Sequence, residues 1–242
     1  MFNLNFTICH IKLSELSELV LDEETNGFRP NWDNIILMTA YDKDRTFILT
    51  WDGRYLVLPR PIGTVLEQFA QDNDIADYER QALYDMIGVH KGRGYIAGHN
   101  RLVPTCGTTN DGVVYYVARR LAGREAIAGG QMVEASFRGR KHQLFRVVID
   151  TSYKTFMNLL EAADEAAGVQ LDILEWRMHS YRVRKVNKRD NVRFYAMYGR
   201  RVKSRDLRRR WMMMLVRRVI RDYCTEEECK EIERLIKHYI EK

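Results

Sequence analysis

The sequence predicts an α+β protein in which a β-rich body with hairpins is followed by a helical, strongly basic C-terminal part. Three observations support this fold class. Apolar, β-prone runs alternate with turn residues up to residue 149, apolar positions recur at helical spacing from Thr151 onward, and positive charge is concentrated late in the chain. The 242 residues, 45% of them hydrophobic, can form a substantial core. We place the β-rich body at residues 1–168 and the basic region at 169–242.

Two hairpins are the clearest elements of the body. Asp52-Gly53 lies between the β-prone runs 46–51 and 55–58, and Asp-Gly favours a tight hairpin because the turn needs positive φ. The segment 138–141 separates two further runs in the same way and predicts a second hairpin. The predicted strands are 35–41, 46–51, 55–58, 113–118, 132–137 and 143–149.

Helices are predicted both inside the body and after it. Residues 62–86 have helical spacing, with a break at 72–74. Thr151 or Ser152 can cap a helix that Gly168 then ends. Later helices are predicted at 171–181, at 205–223 with Ser204 as cap, and after the capping box 225–228, while 182–203 is predicted as a flexible basic loop.

The positive charge lies mostly between residues 177 and 221. This stretch contains 17 Lys or Arg and only two acids, Asp190 and Asp206. The whole chain has 39 basic and 33 acidic residues, so the remainder holds 22 basic and 31 acidic residues, a balance of −9. The net charge of +6 therefore conceals an acidic body joined to a basic segment. Such a segment needs a polyanion, an acidic partner or solvent around it.

Nucleic acid is the partner that the basic segment favours. A solvated helix face usually mixes charge signs, and this segment hardly does. Arginine donates two hydrogen bonds to a phosphate and enters narrow minor grooves, where the potential is most negative. Trp211, Met214 and Leu215 are predicted to be packing residues, and a dimer contact is one place where they could pack. The predicted DNA-binding residues are Arg182, Arg184, Lys185, Lys188, Arg189, Arg193, Arg200, Arg201, Lys203, Arg205, Arg208 and Arg209.

Two rival interpretations use the same segment. Phe194, Tyr195 and Tyr198 are interleaved with the basic residues and can stack on the bases of single-stranded DNA or RNA. The basic arm can also bind an acidic protein partner, which would make the chain an adaptor. Two shorter glycine-containing clusters, 90–94 and 138–142, can add to a nucleic-acid footprint, although each is predicted first of all as a turn.

No catalytic residue, metal site or cofactor is predicted, and the protein is not expected to be an enzyme. The four cysteines are scattered, and the histidines form no i, i+4 pair. Cys106 lies near His99 in sequence, but a lone Cys between turn residues is usually structural. Asp42, Asp44 and Asp52 surround a hairpin, where turn chemistry favours aspartate.

The chain is expected to lie in the cytoplasm, associated with the nucleoid. No apolar run approaches the ~20 residues that cross a bilayer. The N-terminal segment lacks the charged start and apolar middle of a secretory signal.

The order of features from about residue 35 to about residue 168 resembles ComK, the competence transcription factor of low-GC Gram-positive bacteria. The segment 101–105 (Arg-Leu-Val-Pro-Thr), followed by 113–117, is similar to the family's Phe-Pro-Thr segment and the strand after it. Residues 133–137 with the Gly139 turn, then 152–158 (Ser-Tyr-Lys-Thr-Phe-Met-Asn), resemble its strand, glycine turn and Ser-Phe-x-Asn helix start.

The resemblance implies a sequence-specific activator of DNA-uptake genes that binds paired AT-rich boxes in duplex DNA. It also implies homodimers that assemble further on DNA, contact largely through the minor groove, and control by a Clp-protease adaptor. An arginine-rich reader of a narrow groove fits this mode of binding.

Overall fold

The computed structural model describes residues 7–107, 112–180 and the single residue Arg234, and the fold is stated for these residues. The chain divides into two compact units, Met1–Arg182 and Val183–Lys242. All of the second unit except Arg234 lies outside the described residues. The helix predicted at 205–223 and the loop predicted at 182–203 therefore lie outside them as well. Of the helix predicted after 225–228, only Arg234 is described, and it is helical.

The described residues contain both helices and strands, which confirms the mixed α+β class. Residues 7–107 and 112–180 contain three α-helices and eleven strands. The helices are α1 Ile62–Asp72, α2 Asp77–Met86 and α3 Tyr153–Ser180. The eleven strands are β1 Thr7–Lys12, β2 Glu23–Glu24, β3 Ile35–Ala40, β4 Thr46–Thr50, β5 Tyr55–Leu58, β6 Tyr95–Ala97, β7 Asn100–Pro104, β8 Val114–Val117, β9 Leu121–Ile127, β10 Met132–Arg138 and β11 Gln143–Ile149.

These strands form two sheets. The smaller sheet has the order β1-β11-β10-β9, with β1 parallel to β11 and the other pairs antiparallel. The larger sheet has the order β2-β5-β4-β3-β8-β7-β6, in which β2 is parallel to β5 and the remaining pairs are antiparallel. Alternation along β10 and β11 buries one face and leaves the other half-exposed, as expected for a sheet covered on one side.

One hydrophobic core joins the two sheets and the start of α3. Tyr116 of the larger sheet packs on Phe137 of the smaller sheet, with ring centroids 5.6 Å apart. The same Tyr116 ring stacks on Phe156 of α3 at 5.1 Å. Burial of each such aromatic side chain stabilises the fold by roughly 1.5–3 kcal/mol.

The second face of the larger sheet is covered by α1. Val65, Leu66 and Phe69 of this helix pack with Ile48 and Leu56 of the central strands. Because the central strands are buried on both faces, their sequences are nearly continuous apolar runs.

The structure confirms both predicted hairpins and the broken helix. Gly53 has φ of +92° in the β4–β5 turn, and its N–H donates to the Thr50 carbonyl at 3.1 Å. Strands β10 and β11 pair across the second turn. The break between α1 and α2 falls after Asp72, where Asp74 takes a positive φ of 58°.

The prediction that Gly168 ends a helix is wrong. Ser152 is the N-terminal cap, since its Oγ accepts the Thr155 N–H at 3.1 Å, but the helix then continues through Gly168 to Ser180. Two interactions hold the continuous helix: Ala166 and Ala167 are buried against α2 and β6, and the Gln170 side chain accepts the Gly98 N–H at 2.7 Å. Tertiary packing thus outweighs the helix-ending preference of glycine.

Gly168→Ala is expected to stabilise the protein by up to about 1 kcal/mol, because an alanine inside a helix loses less backbone entropy than glycine. A Cβ at this position would meet no atom within 4 Å. Thermal and denaturant unfolding would measure the change, with Gly63→Ala in α1 as a matched control, since it has equally open surroundings. Destabilisation by Gly168→Ala, with the control stabilised, would mean that the helix ends at this glycine.

Two buried tyrosines are expected to respond oppositely to loss of their hydroxyl groups. The Tyr116 hydroxyl is buried and has no hydrogen-bond partner within the described residues, whereas the Tyr84 hydroxyl accepts the Gly94 N–H at 3.0 Å. Burial raises the pKa of Tyr84 to about 12, so the hydroxyl stays neutral at ordinary pH.

Tyr84→Phe should therefore cost roughly 1–3 kcal/mol, because it leaves a buried N–H unpaired, while Tyr116→Phe should be neutral or stabilising by about 1 kcal/mol. Equilibrium unfolding of both variants measures this difference. Equal destabilisation by the two substitutions would contradict the assignment of their hydrogen bonds.

Candidate nucleic-acid interface

The twelve predicted DNA-binding residues lie outside the described residues. They are Arg182, Arg184, Lys185, Lys188, Arg189, Arg193, Arg200, Arg201, Lys203, Arg205, Arg208 and Arg209. The predicted stacking rings and the packing residues of the basic segment lie outside them too. The geometry of an interface can therefore be built only from the basic side chains of the described body.

The most basic turn of the body is the hairpin tip, residues 138–142, which joins β10 to β11. The Gln143 N–H donates to the Arg140 carbonyl at 3.1 Å and closes a four-residue turn. Its two central residues, Lys141 and His142, have φ of 50° and 64°. This is the pattern of a type I′ turn, which favours Asn-Gly because both central residues need positive φ. Lysine and histidine occupy it here at a steric cost.

The hairpin tip lies against the turn between β4 and β5. The Arg140 N–H donates to the Trp51 carbonyl at 2.8 Å. Gly139 permits this approach, since a Cβ there would come within 3.2 Å of the Trp51 carbonyl oxygen and 2.5 Å of the Phe145 ring. The turns of the two hairpins thus meet, and the contact is made at Trp51 of the β4–β5 turn.

A third segment brings two more arginines to the same place. The Arg120 guanidinium lies over the Trp51 ring, 4.9 Å from its centroid, and donates to the Asp33 carbonyl at 3.0 Å. Arg119 donates to the Asp33 carboxylate and the Trp32 carbonyl, both at 2.6 Å. Burial, and then the neighbouring charge of Arg119, lower the pKa of Arg120.

Carboxylates near the hairpin tip are already engaged. Asp33 is bound by Arg119, and Asp52 accepts a hydrogen bond from Arg54 at 3.0 Å. Burial would raise the pKa of Asp52, but the hydrogen bond of Thr50 and the charge of Arg54 outweigh it and hold that pKa below its usual value. In contrast, the exposed side chains of Arg138, Arg140 and Lys141 form no ion pair within the described residues. We call Trp51, Arg120, Arg138, Arg140 and Lys141 the tip surface.

The second glycine-containing cluster, residues 90–94, has a different character. Arg93 and His90 both contact the Asp85 carboxylate, at 2.5 and 3.1 Å, and Arg93 also donates to the Val89 carbonyl. These contacts hold the loop after α2, so Lys91 is the basic residue of this cluster without an ion pair in the described part of the chain. The turn interpretation describes this cluster better than a phosphate site does.

The described residues supply no arrangement for metal chemistry. Within 7–107 and 112–180, no group of three or more His, Cys, Asp or Glu side chains could hold a metal ion. Asp42 accepts the backbone N–H groups of Asp44 and Arg45 at 2.9 and 2.8 Å and pairs with the Arg45 side chain. Hydrogen bonding to Arg45 lowers the pKa of Asp42, as expected for a carboxylate that stabilises its own turn.

None of the helices in the described part of the chain combines the length and hydrophobicity that a bilayer crossing requires. Comparisons with protein-family models, with curated proteins and with solved structures found no match.

Replacing Lys141-His142 with Asn-Gly is expected to stabilise the protein by roughly 1–2 kcal/mol, because these residues adopt positive φ more readily. Denaturant unfolding measures the effect. The control is Lys141→Asn alone, which changes the same charge but relieves less of the steric cost. Destabilisation by the double replacement would show that the native side chains contribute more to folding than the turn conformation costs.

Proposed function

We propose that this protein binds duplex DNA and has no catalytic step. The observation that carries the proposal is the balance of 17 basic residues against two acids in residues 177–221. Neutralising phosphates releases the counterions that surround DNA, and this release favours binding by a dense set of cationic side chains. The remaining chain carries an excess of acidic residues. The net positive charge that can attract a polyanion is therefore confined to this one segment.

Two groups of residues have different proposed roles. The first group sets affinity through phosphate contacts and consists of Arg182, Arg184, Lys185, Lys188, Arg189 and Arg193. The second group supplies candidates for entry into the minor groove and consists of Arg200, Arg201, Arg205, Arg208 and Arg209. Lys203 is a further proposed DNA-binding residue. Phosphate contacts would fix position on the duplex, while groove width would give a preference for AT-rich sites.

The finer functional proposal rests on the resemblance to ComK. It is that the chain activates competence genes at paired AT-rich boxes, acts as a homodimer or larger oligomer on DNA, and is controlled by a Clp-protease adaptor. A cytoplasmic, nucleoid-associated location belongs to the same proposal. The segments that carry the resemblance fall on β7, β8, β10 and the first turns of α3.

Reversing Arg184, Lys185, Lys188 and Arg189 to glutamate is expected to lower duplex affinity about a hundredfold or more at moderate salt. Each lost phosphate contact should also reduce the slope of log K against log salt by roughly 0.9. Fluorescence anisotropy with an AT-rich duplex at several salt concentrations measures both quantities, and circular dichroism checks that the variant is folded.

The matched control reverses Arg29, Lys43, Lys91 and Lys154, four exposed residues of the body, and changes the net charge by the same amount. Unchanged binding by the first variant would refute the proposal, and equal losses in both variants would reduce it to a non-specific effect of net charge. Selection from a random duplex pool then tests AT preference and box spacing. Single-stranded DNA that competes better than duplex would favour stacking by Phe194, Tyr195 and Tyr198 instead.

A further inference from the structure

We propose that the tip surface is a second phosphate-binding surface, which holds the folded body on the nucleic-acid backbone separately from the basic segment 177–221. This inference rests on the proposed DNA binding and assigns a partner chemistry to a defined part of the described body. It concerns Trp51, Arg120, Arg138, Arg140 and Lys141.

The turn conformation at the hairpin tip is the first support. Both central residues have positive φ, a conformation that costs about 1–2 kcal/mol for each residue other than glycine, with asparagine and aspartate the common exceptions. Asn-Gly would form the same turn with less strain. Lys141 and His142 therefore occupy positions for which backbone geometry alone would select other residues. A contact of the Lys141 side chain with a ligand outside the fold accounts for the lysine at this strained position.

The construction of the surface around Trp51 is the second support. Arg140 is fixed by its backbone hydrogen bond to the Trp51 carbonyl, and Arg120 is fixed over the Trp51 ring. The backbone of Trp51 is itself held, because its N–H donates to the Asn34 carbonyl at 2.9 Å. Two segments distant in the sequence thus bring cationic residues to the turn that contains Trp51. The Arg120 guanidinium is held over the ring, and the backbone that carries Arg140 and Lys141 is held by the hydrogen bond to the Trp51 carbonyl, so a ligand would meet a partly preorganised surface.

The balance of charge is the third support. The Arg120 guanidinium donates to the Asp33 carbonyl and forms no ion pair within the described residues. Arg138, Arg140 and Lys141 are exposed, and the nearby Asp33 and Asp52 carboxylates are engaged by other arginines. An arriving anion would therefore meet uncompensated cationic groups and displace no ion pair that the structure records for them.

Phosphate oxygen is the chemistry that fits these groups best. Arginine binds phosphate through two parallel hydrogen bonds, and lysine adds a compact charge. A duplex backbone presents such groups in a row, so the exposed cationic side chains of the hairpin tip can bind more than one of them. Contacts of this kind carry no sequence information, but they fix the orientation of a protein on the duplex.

The test uses the full-length chain with Arg140→Glu and Lys141→Glu combined. We expect affinity for an AT-rich duplex to fall about tenfold or more, and the slope of log K against log salt to fall by roughly two. The matched control combines Lys43→Glu with Lys91→Glu. Lys43 lies in the turn at the opposite end of β4 from Trp51, and Lys91 lies in the loop after α2. The control should change affinity no more than twofold.

The outcomes separate this inference from the proposed function. If the wild-type chain binds duplex and the tip variant binds equally well with the same salt slope, the inference is wrong and DNA binding stands. If the wild-type chain does not bind duplex, both are wrong. Equal losses in the tip and control variants would also reject a specific surface. A tip variant that binds an acidic protein less well, but DNA unchanged, would assign the surface to a protein partner and overturn the inference.

A second variant keeps the test decisive if the charge reversals disturb folding. Lys141-His142→Asn-Gly is expected to be more stable than the wild type, yet it lacks one cationic group. It should reduce the salt slope by about one and weaken binding several-fold. Full binding by this well-folded variant would count against the inference.

Discussion

The packing of the two sheets against each other is the interaction on which the rest of the described structure depends. Tyr116 lies at its centre, between Phe137 of the smaller sheet and Phe156 of α3. Because Phe137 and Phe145 are buried on the inner face of the β10–β11 hairpin, the tip of that hairpin extends beyond the core. The same packing brings it against Trp51 in the β4–β5 turn of the other sheet, so the backbone of the basic turn is held against the body.

The charge distribution suggests different physical roles in DNA binding for the basic segment 177–221 and for the tip surface. The segment 177–221 holds most of the excess positive charge and would supply affinity that depends strongly on salt. The tip surface holds few charges. Its Arg120 guanidinium is placed by a hydrogen bond to the Asp33 carbonyl and by the Trp51 ring, and its turn is held by the hydrogen bond from the Arg140 N–H to the Trp51 carbonyl. The proposed phosphate contacts of this surface would fix the orientation of the body on the duplex in addition to their share of the affinity. In this proposal the segment 177–221 supplies most of the binding strength, and the tip surface sets the position of the body on DNA.

Much of the body's local structure could be predicted from the sequence. The Asp52-Gly53 turn, the second hairpin and the break after Asp72 each depend on residues that are close in the chain. Strand β9 has no clear signal in the sequence, because Gly123, Arg124 and Glu125 interrupt any alternation of apolar residues, and its pairing depends on β10. The parallel strand β1 is not predictable from local sequence either, since its partner β11 lies more than a hundred residues later.

The sequence by itself determined the fold class, the hairpin turns and the uneven distribution of charge, because these follow from composition and short-range preferences. Only the tertiary structure decided that α3 continues through Gly168, since buried alanines and the Gln170–Gly98 hydrogen bond supply energy that no local pattern contains. It also decided that the hairpin tip and Arg120 meet at Trp51. That meeting joins residues from three separate segments, and only the packing of one sheet on the other brings such segments together.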